Sequence, residues 1–156
     1  MVKWFVGLGL VIGFLSFFII GSGSVSRQAL KWIQEKEGGS QVVSQAADGD
    51  PAQFTQKYLP FLKERYYLCQ YAMLMGNDQV AMEIIKETLA LYKGSPLEQQ
   101  PEYYQSMLFF EGQMYDNALM NSAALADYSK FVSLYPDNPL VPKAQRRVTN
   151  LQEAMH

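Results

Sequence analysis

Gly112 to Pro136 reads GQMYDNALMNSAALADYSKFVSLYP, and the fold follows from how this stretch divides. Apolar residues recur every three or four positions up to Asn117 and again from about Ser122 to Tyr135, which is the period of a helix and not of a strand. Pro136-Asp137-Asn138-Pro139 then stops the second run, because proline lacks the amide donor and clashes with the preceding turn. Two antiparallel helices joined by a short turn are expected. Within them Gly112 is followed three residues later by Tyr115, nine later by Ala124, four later by Tyr128 and eight later by Pro136.

The same grammar extends outward. Asp50 is placed to cap a helix with Pro51 at its first position, and Gln53 to Met75 carries one long apolar stripe with a possible kink site at Pro60. Gly76-Asn77 ends it. Asp78 is read as the cap of a helix to about Lys93, closed by Gly94-Ser95-Pro96. Pro101 opens another to about Asn117, and Val141 to Met155 forms the last. No stretch from Pro51 onward alternates as a half-buried strand does, so residues 51–156 read as an all-α domain of stacked antiparallel helix pairs. In its first half Cys69, Ala72, Ala81 and Ile85 repeat the spacings of Gly112, Tyr115, Ala124 and Tyr128.

This double pattern resembles the tetratricopeptide repeat (TPR). The resemblance implies that the small residues at 69, 81, 112 and 124 let paired helices touch, while aromatics fill the grooves between pairs and Pro136 ends a unit. It further implies that the first helix of each pair lines a concave partner-binding face, placing Lys63, Tyr66, Gln70 and Met73 there with Phe109, Gln113 and Asp116. There are departures. Cys69 and Gly112 stand 43 residues apart, against 34 in the family, so 93–105 carries a longer connection. Arg65 and Leu108 occupy the family's opening Trp position, Ala72 and Ile85 replace aromatics, and Lys93 stands where Pro would be. The phrase ADYSKFVSLYPDNPLVPKAQRRVTNL, Ala126 to Leu151, is also similar to repeats in bacterial envelope proteins of the TolA-binding and outer-membrane-assembly kinds, although the chain has no lipobox cysteine.

Composition points to a second element. Hydrophobic residues form 49% and charged residues 18% of the 156, below the charge content of an ordinary soluble chain at about 25%. No residue between Lys3 and Arg27 is charged, and Trp4 to Ile20 reads WFVGLGLVIGFLSFFII. Residues 4–24 are long enough to cross a hydrocarbon core of about 30 Å at about 1.5 Å per residue. A cleaved signal peptide is the competing reading, supported by Lys3 and the small residues 21–24, but its apolar core would be shorter. Gly9, Gly13 and Ser16 share one face on which another membrane helix could pack, although glycine is also simply common in such helices. After the span, Val25, Ala29, Trp32, Ile33 and Lys36 recur at helical spacing and read as an amphipathic extension with an interfacial Trp32, ended by Gly38-Gly39. The expected organisation is thus 1–37 span and extension, 38–50 linker, 51–156 helical domain. The positive-inside count of Arg27, Lys31 and Lys36 favours a cytoplasmic domain, whereas the short basic tail before an apolar run resembles an uncleaved signal anchor, which favours the periplasmic face of the bacterial inner membrane. The periplasmic side is the expectation.

Several functions are disfavoured. A formal charge of -2 and a pI near 5.4 leave no basic stripe for phosphate backbones, so nucleic acid is not an expected partner. Cys69 is the single cysteine and His156, the final residue, the single histidine, so neither a multi-thiolate metal site nor a nucleophile with its base is apparent. Asp48-Gly49-Asp50 lacks the further oxygen ligands of a calcium loop, and no phosphate or dinucleotide loop is present. No metal, cofactor or catalysis is expected. Two readings remain: a membrane-anchored protein-interaction or scaffold module, contacting lipid through residues 4–24, and a single-span accessory subunit of a larger bacterial membrane complex of respiratory, photosynthetic, secretion or pilus type.

Overall fold

A computed structural model describes residues 25–38 and 49–155. The expected span at 4–24, with the packing face of Gly9, Gly13 and Ser16, lies outside the described residues, as does most of the expected linker and His156. Among the described residues there is no strand, and no helix is long and apolar enough to cross a membrane.

Among the described residues six α-helices follow one another: α1 over 25–37, α2 Pro51–Leu74, α3 Asp78–Tyr92, α4 Ser106–Asn117, α5 Asn121–Leu134 and α6 Val141–Ala154. Asp50 caps α2 as expected, its Oδ1 accepting from the Ala52 amide at 2.9 Å, and α2 runs through Pro60, whose ring faces solvent. Asp78 is the first residue of α3 rather than its cap; Asn77 holds that position and makes no side-chain capping bond. Between α3 and α4 lie a 3-10 turn, Pro96–Gln99, and one wide π turn, Pro101–Gln105. The sequence predicts one helix from Pro101. The first turn widens because the Pro101 carbonyl is taken by Ser106 Oγ (3.0 Å) and Asn138 Nδ2 (3.1 Å), while the Gln105 amide reaches back to Gln100.

Consecutive helices from α2 to α6 pack on one another. Leu89, at the centre, touches all three core clusters. The first cluster joins α1 to α4 through Leu30, Cys69, Ala81, Ile84, Ile85 and Met107. A second fills α4, α5 and α6 around Phe109, Ala124, Tyr128 and Phe131. The third seats the lower half of α2, Phe54, Tyr58 and Leu62, against Tyr92, Leu97 and Tyr104. Burying one large apolar side chain contributes about 1.5–3 kcal/mol, so these clusters dominate the stability of the stack.

The turns that close the first two hairpins are built alike. Gly76 has φ +69, with the Asn77 amide bonded to Ala72 O (2.8 Å) and the Gly76 amide to Met73 O (3.1 Å). At the matching place Leu119 has φ +58, with the Met120 amide on Tyr115 O (2.9 Å) and the Leu119 amide on Asp116 O (3.0 Å). Both are left-handed helix caps, for which glycine is the favoured residue.

α1 is built into the domain. Ser26, Leu30, Ile33 and Glu37 form its buried stripe, whereas Val25, Trp32 and Lys36 of the expected amphipathic face stay exposed. The two stripes are neighbours on the helix and share Ile33, and a stripe containing Ser26 and Glu37 is not recognisable by hydrophobicity. Among the described residues α1 therefore packs as part of the helical stack, ahead of residue 51.

Candidate functional site

On one side of the stack α2, the π turn and the α5–α6 turn enclose an open groove of about 620 Å³. Tyr66 is its hub. The Tyr66 ring meets Tyr103 edge-on at 5.4 Å, Tyr67 edge-on at 5.4 Å, and stacks on Phe110 at 5.8 Å. Such aromatic pairs stabilise by about 0.5–1.5 kcal/mol beyond area burial. Gln70 Nε2 donates to Tyr66 Oη at 2.9 Å, and Lys63 Nζ sits 5.3 Å from the centre of the Tyr103 ring. Burial, then Tyr67 and Glu102, raise the pKa of the Tyr66 phenol, so it stays neutral and available as donor and acceptor. Tyr67 is 57% exposed and offers the groove its free aromatic surface.

The π turn positions this cluster. Its wider winding sends Tyr103 toward α2 while Tyr104 turns inward and donates to Leu89 O at 3.0 Å. Asn138 fastens the opposite wall. It is buried, donates to Gln105 Oε1 (3.0 Å) and Pro101 O (3.1 Å), and accepts from the Leu140 amide at 2.9 Å.

Of the residues assigned to a concave face, Tyr66 and Gln70 line this groove, and Lys63 joins it through the Tyr103 ring. Met73 is half-buried and packs on the first core cluster beside Cys69, Sγ to Sδ 3.9 Å. Gln113 is half-buried and lies outside the groove lining. Asp116 is engaged within the stack by Arg147, Nε to Oδ2 2.8 Å and Nη2 to Oδ1 2.6 Å. Phe109 is withdrawn from the surface at 1% exposure, between Tyr128 and Phe131 with Lys143 Nζ 5.3 Å above its ring; Phe110, one position on, is the residue that meets Tyr66. Sequence spacing missed Tyr67, Tyr103, Phe110 and Asn138. The three-proline run Pro96, Pro101 and Pro139 around them was the available signal that this edge is irregular.

Behind the groove lies a buried charge cluster that spacing also missed. Arg65 is 2% exposed and clasps Glu37 with Nη2 at 2.6 Å and Nε at 3.0 Å from Oε2; Tyr92 Oη also donates to Glu37. Glu87 receives Gln34 Nε2 at 2.7 Å and stands 3.4 Å from Arg65 Nη1. Burial raises the Glu37 pKa, and Arg65 opposes the rise without cancelling it. Arg65 is held in this buried position because α1 brings it a carboxylate. Cys69 lies nearby, fully buried, its thiol pushed up to about 12 by burial, which leaves it unreactive. Among the described residues no group of three His, Cys, Asp or Glu side chains converges.

Comparison with protein-family models, with curated proteins and with solved structures found no match.

Proposed function

We propose that this chain is a membrane-anchored, non-catalytic interaction module of TPR-like architecture, held in the bacterial inner membrane by residues 4–24 with its helical domain on the periplasmic side. The aromatic groove around Tyr66 carries the reading. It joins an exposed phenol ring, neutral hydroxyls, an amide, a carboxylate at Glu102 and an ammonium at Lys63, which suits an extended peptide segment with mixed side chains. The TPR-like element of the reading draws on Gly112 meeting Tyr128 in one hairpin and Cys69 meeting Ala81 in the other, each a small residue at which the two helices of a pair touch.

A photo-crosslinking residue at Tyr67 in the full chain, followed by mild-detergent purification, tests this. A stoichiometric partner should crosslink at Tyr67 but not at Gln99, and Tyr103→Ala should abolish it. Release of the chain by alkaline carbonate would remove the anchor. The second reading, an accessory subunit packed through Gly9, Gly13 and Ser16, is favoured if crosslinks arise from Gly9 and none from Tyr67.

A further inference from the structure

The helical stack has two unlike ends. α2, α4 and α6 run toward one end, which holds the α2–α3 turn, the α4–α5 turn and the close of α6; Ser122 Oγ and Met155 Sδ, 4.0 Å apart, mark its far side. Here the backbone presents Leu74 and Leu119, each 83% exposed, with Met120 at 53% and Met155 at 44%. The turn sequences MLMGN at 73–77 and NALMNSAALA at 117–126 contain no charge. The opposite end carries KGSPLEQQPE at 93–102 and PDNP at 136–139, and its one large exposed apolar residue among the described residues is Leu134.

α1 brings the chain to the apolar end. Gln34 bonds Glu87 and Glu37 bonds Tyr92, so α1 runs alongside α3 in the same direction. Val25 precedes Gln34 by as many residues as Asp78, the first of α3, precedes Glu87. The start of α1 is therefore level with the Gly76 turn. Val25 is itself exposed, and the uncharged run from Trp4 to Ser26 leads directly into it. Four exposed apolar residues from three separate turns or termini thus share the end at which that run joins the domain at Val25.

Leu119 adds an independent sign. A large aliphatic residue at φ +58 is unusual, since the left-handed region is disfavoured for side chains with a Cβ, and the equivalent turn has Gly76. Its side chain makes almost no contact within the fold. An exposed leucine held in a strained cap is accounted for by a surface that covers it.

We propose that this end of the stack docks on the lipid bilayer, with Leu74, Leu119, Met120 and Met155 entering the interface around the chain's entry at Val25. The inference rests on the membrane-anchored reading above and adds the face that meets the lipid. It sets α2 to α6 upright on the surface, with the groove on their flank. From Leu74 back to Tyr66 the helix rises about 12 Å, so the groove lies close to the headgroups.

The test uses the full chain in phosphatidylcholine–phosphatidylglycerol vesicles, with an environment-sensitive fluorophore on Leu74→Cys, Leu119→Cys, Gln99→Cys, Asp137→Cys or Leu15→Cys, and a spin-labelled lipid as quencher. Buried Cys69 does not compete for label. Labels at 74 and 119 should be quenched several-fold more than those at 99 and 137, with blue-shifted emission. Equal quenching at both ends, with label 15 quenched, overturns the docking and leaves the anchor standing. If label 15 escapes quenching, the anchor falls and the docking with it. Leu119→Gly, which the backbone accommodates, should reduce quenching at label 74; an unchanged signal removes Leu119 from the contact.

Discussion

A Cβ placed on Gly112 would lie 3.0 Å from Cδ1 and 3.1 Å from Cε1 of Tyr128, so the glycine and the ring share one contact surface between α4 and α5. Tyr128 cannot yield easily, being packed against Phe109 and 2% exposed. Gly112→Leu should therefore cost about 1–3 kcal/mol through overpacking, and Ala124→Leu a similar amount. Gln113→Ala should leave the melt of the detergent-solubilised full chain within experimental scatter. A neutral Gly112→Leu would show that α4 and α5 do not approach in this way.

Leu119→Gly acts on the backbone alone. The side chain is 83% exposed, so its removal sacrifices little burial, while glycine relieves a left-handed conformation that costs other residues about 1 kcal/mol. In detergent, chemical denaturation should show the variant more stable by roughly that amount, about 1 kcal/mol. Leu119→Val, β-branched at positive φ, should be less stable than the parent.

Arg65→Leu should detach α1. It leaves Glu37 buried without its guanidinium, and breaking a buried pair from one side costs about 3–5 kcal/mol. Hydrogen exchange should show amides of 26–37 losing protection ahead of those in α4 and α5. Glu37→Leu with Arg65→Leu should recover much of the loss, because paired apolar replacements are often neutral or better. Full additivity of the two single changes would mean that they do not interact.

Acid should stabilise this fold in the range where it loosens many others. Glu37, Glu111 and Asp127 all titrate above their ordinary values of 4.5, 4.5 and 3.8, with burial the leading cause in each. A carboxyl raised in the folded state contributes stability in full below its unfolded pKa and loses it as pH climbs through the folded one. The Tm of the full chain should accordingly rise as the pH is lowered toward the ordinary carboxyl value of 4.5, and Glu37→Gln should flatten part of that rise. A Tm that falls throughout this window would mean that salt-bridged carboxylates with lowered values dominate.

The helices of residues 51–155 were legible from their punctuation. Asp50-Pro51, Gly76-Asn77, Gly94-Ser95-Pro96 and Pro136 to Pro139 bound α2, α3, α5 and α6 to within two residues, because caps and breakers act locally and need no knowledge of the partner helix, whereas α4 begins at Ser106, five residues after the expected Pro101. The α1 stripe was not legible, since Ser26 and Glu37 are buried for reasons that reside on α2 and α3. Phe109 and Phe110 show the same limit at the groove. Adjacent aromatics on a helix differ by about 100°, and the π turn that precedes them is held in part by the distant Asn138.

Glu37 also sets a distance. Sliding α1 by one turn would bring Ile33 opposite Arg65, leaving the guanidinium without its carboxylate, so the pair admits a single register between α1 and its neighbours. One turn is about 5.4 Å, more than the depth to which a leucine side chain reaches beyond a turn. A charge pair at the far end of α1 thereby works as a stop: it fixes how far Val25 stands from the plane of Leu74 and Leu119.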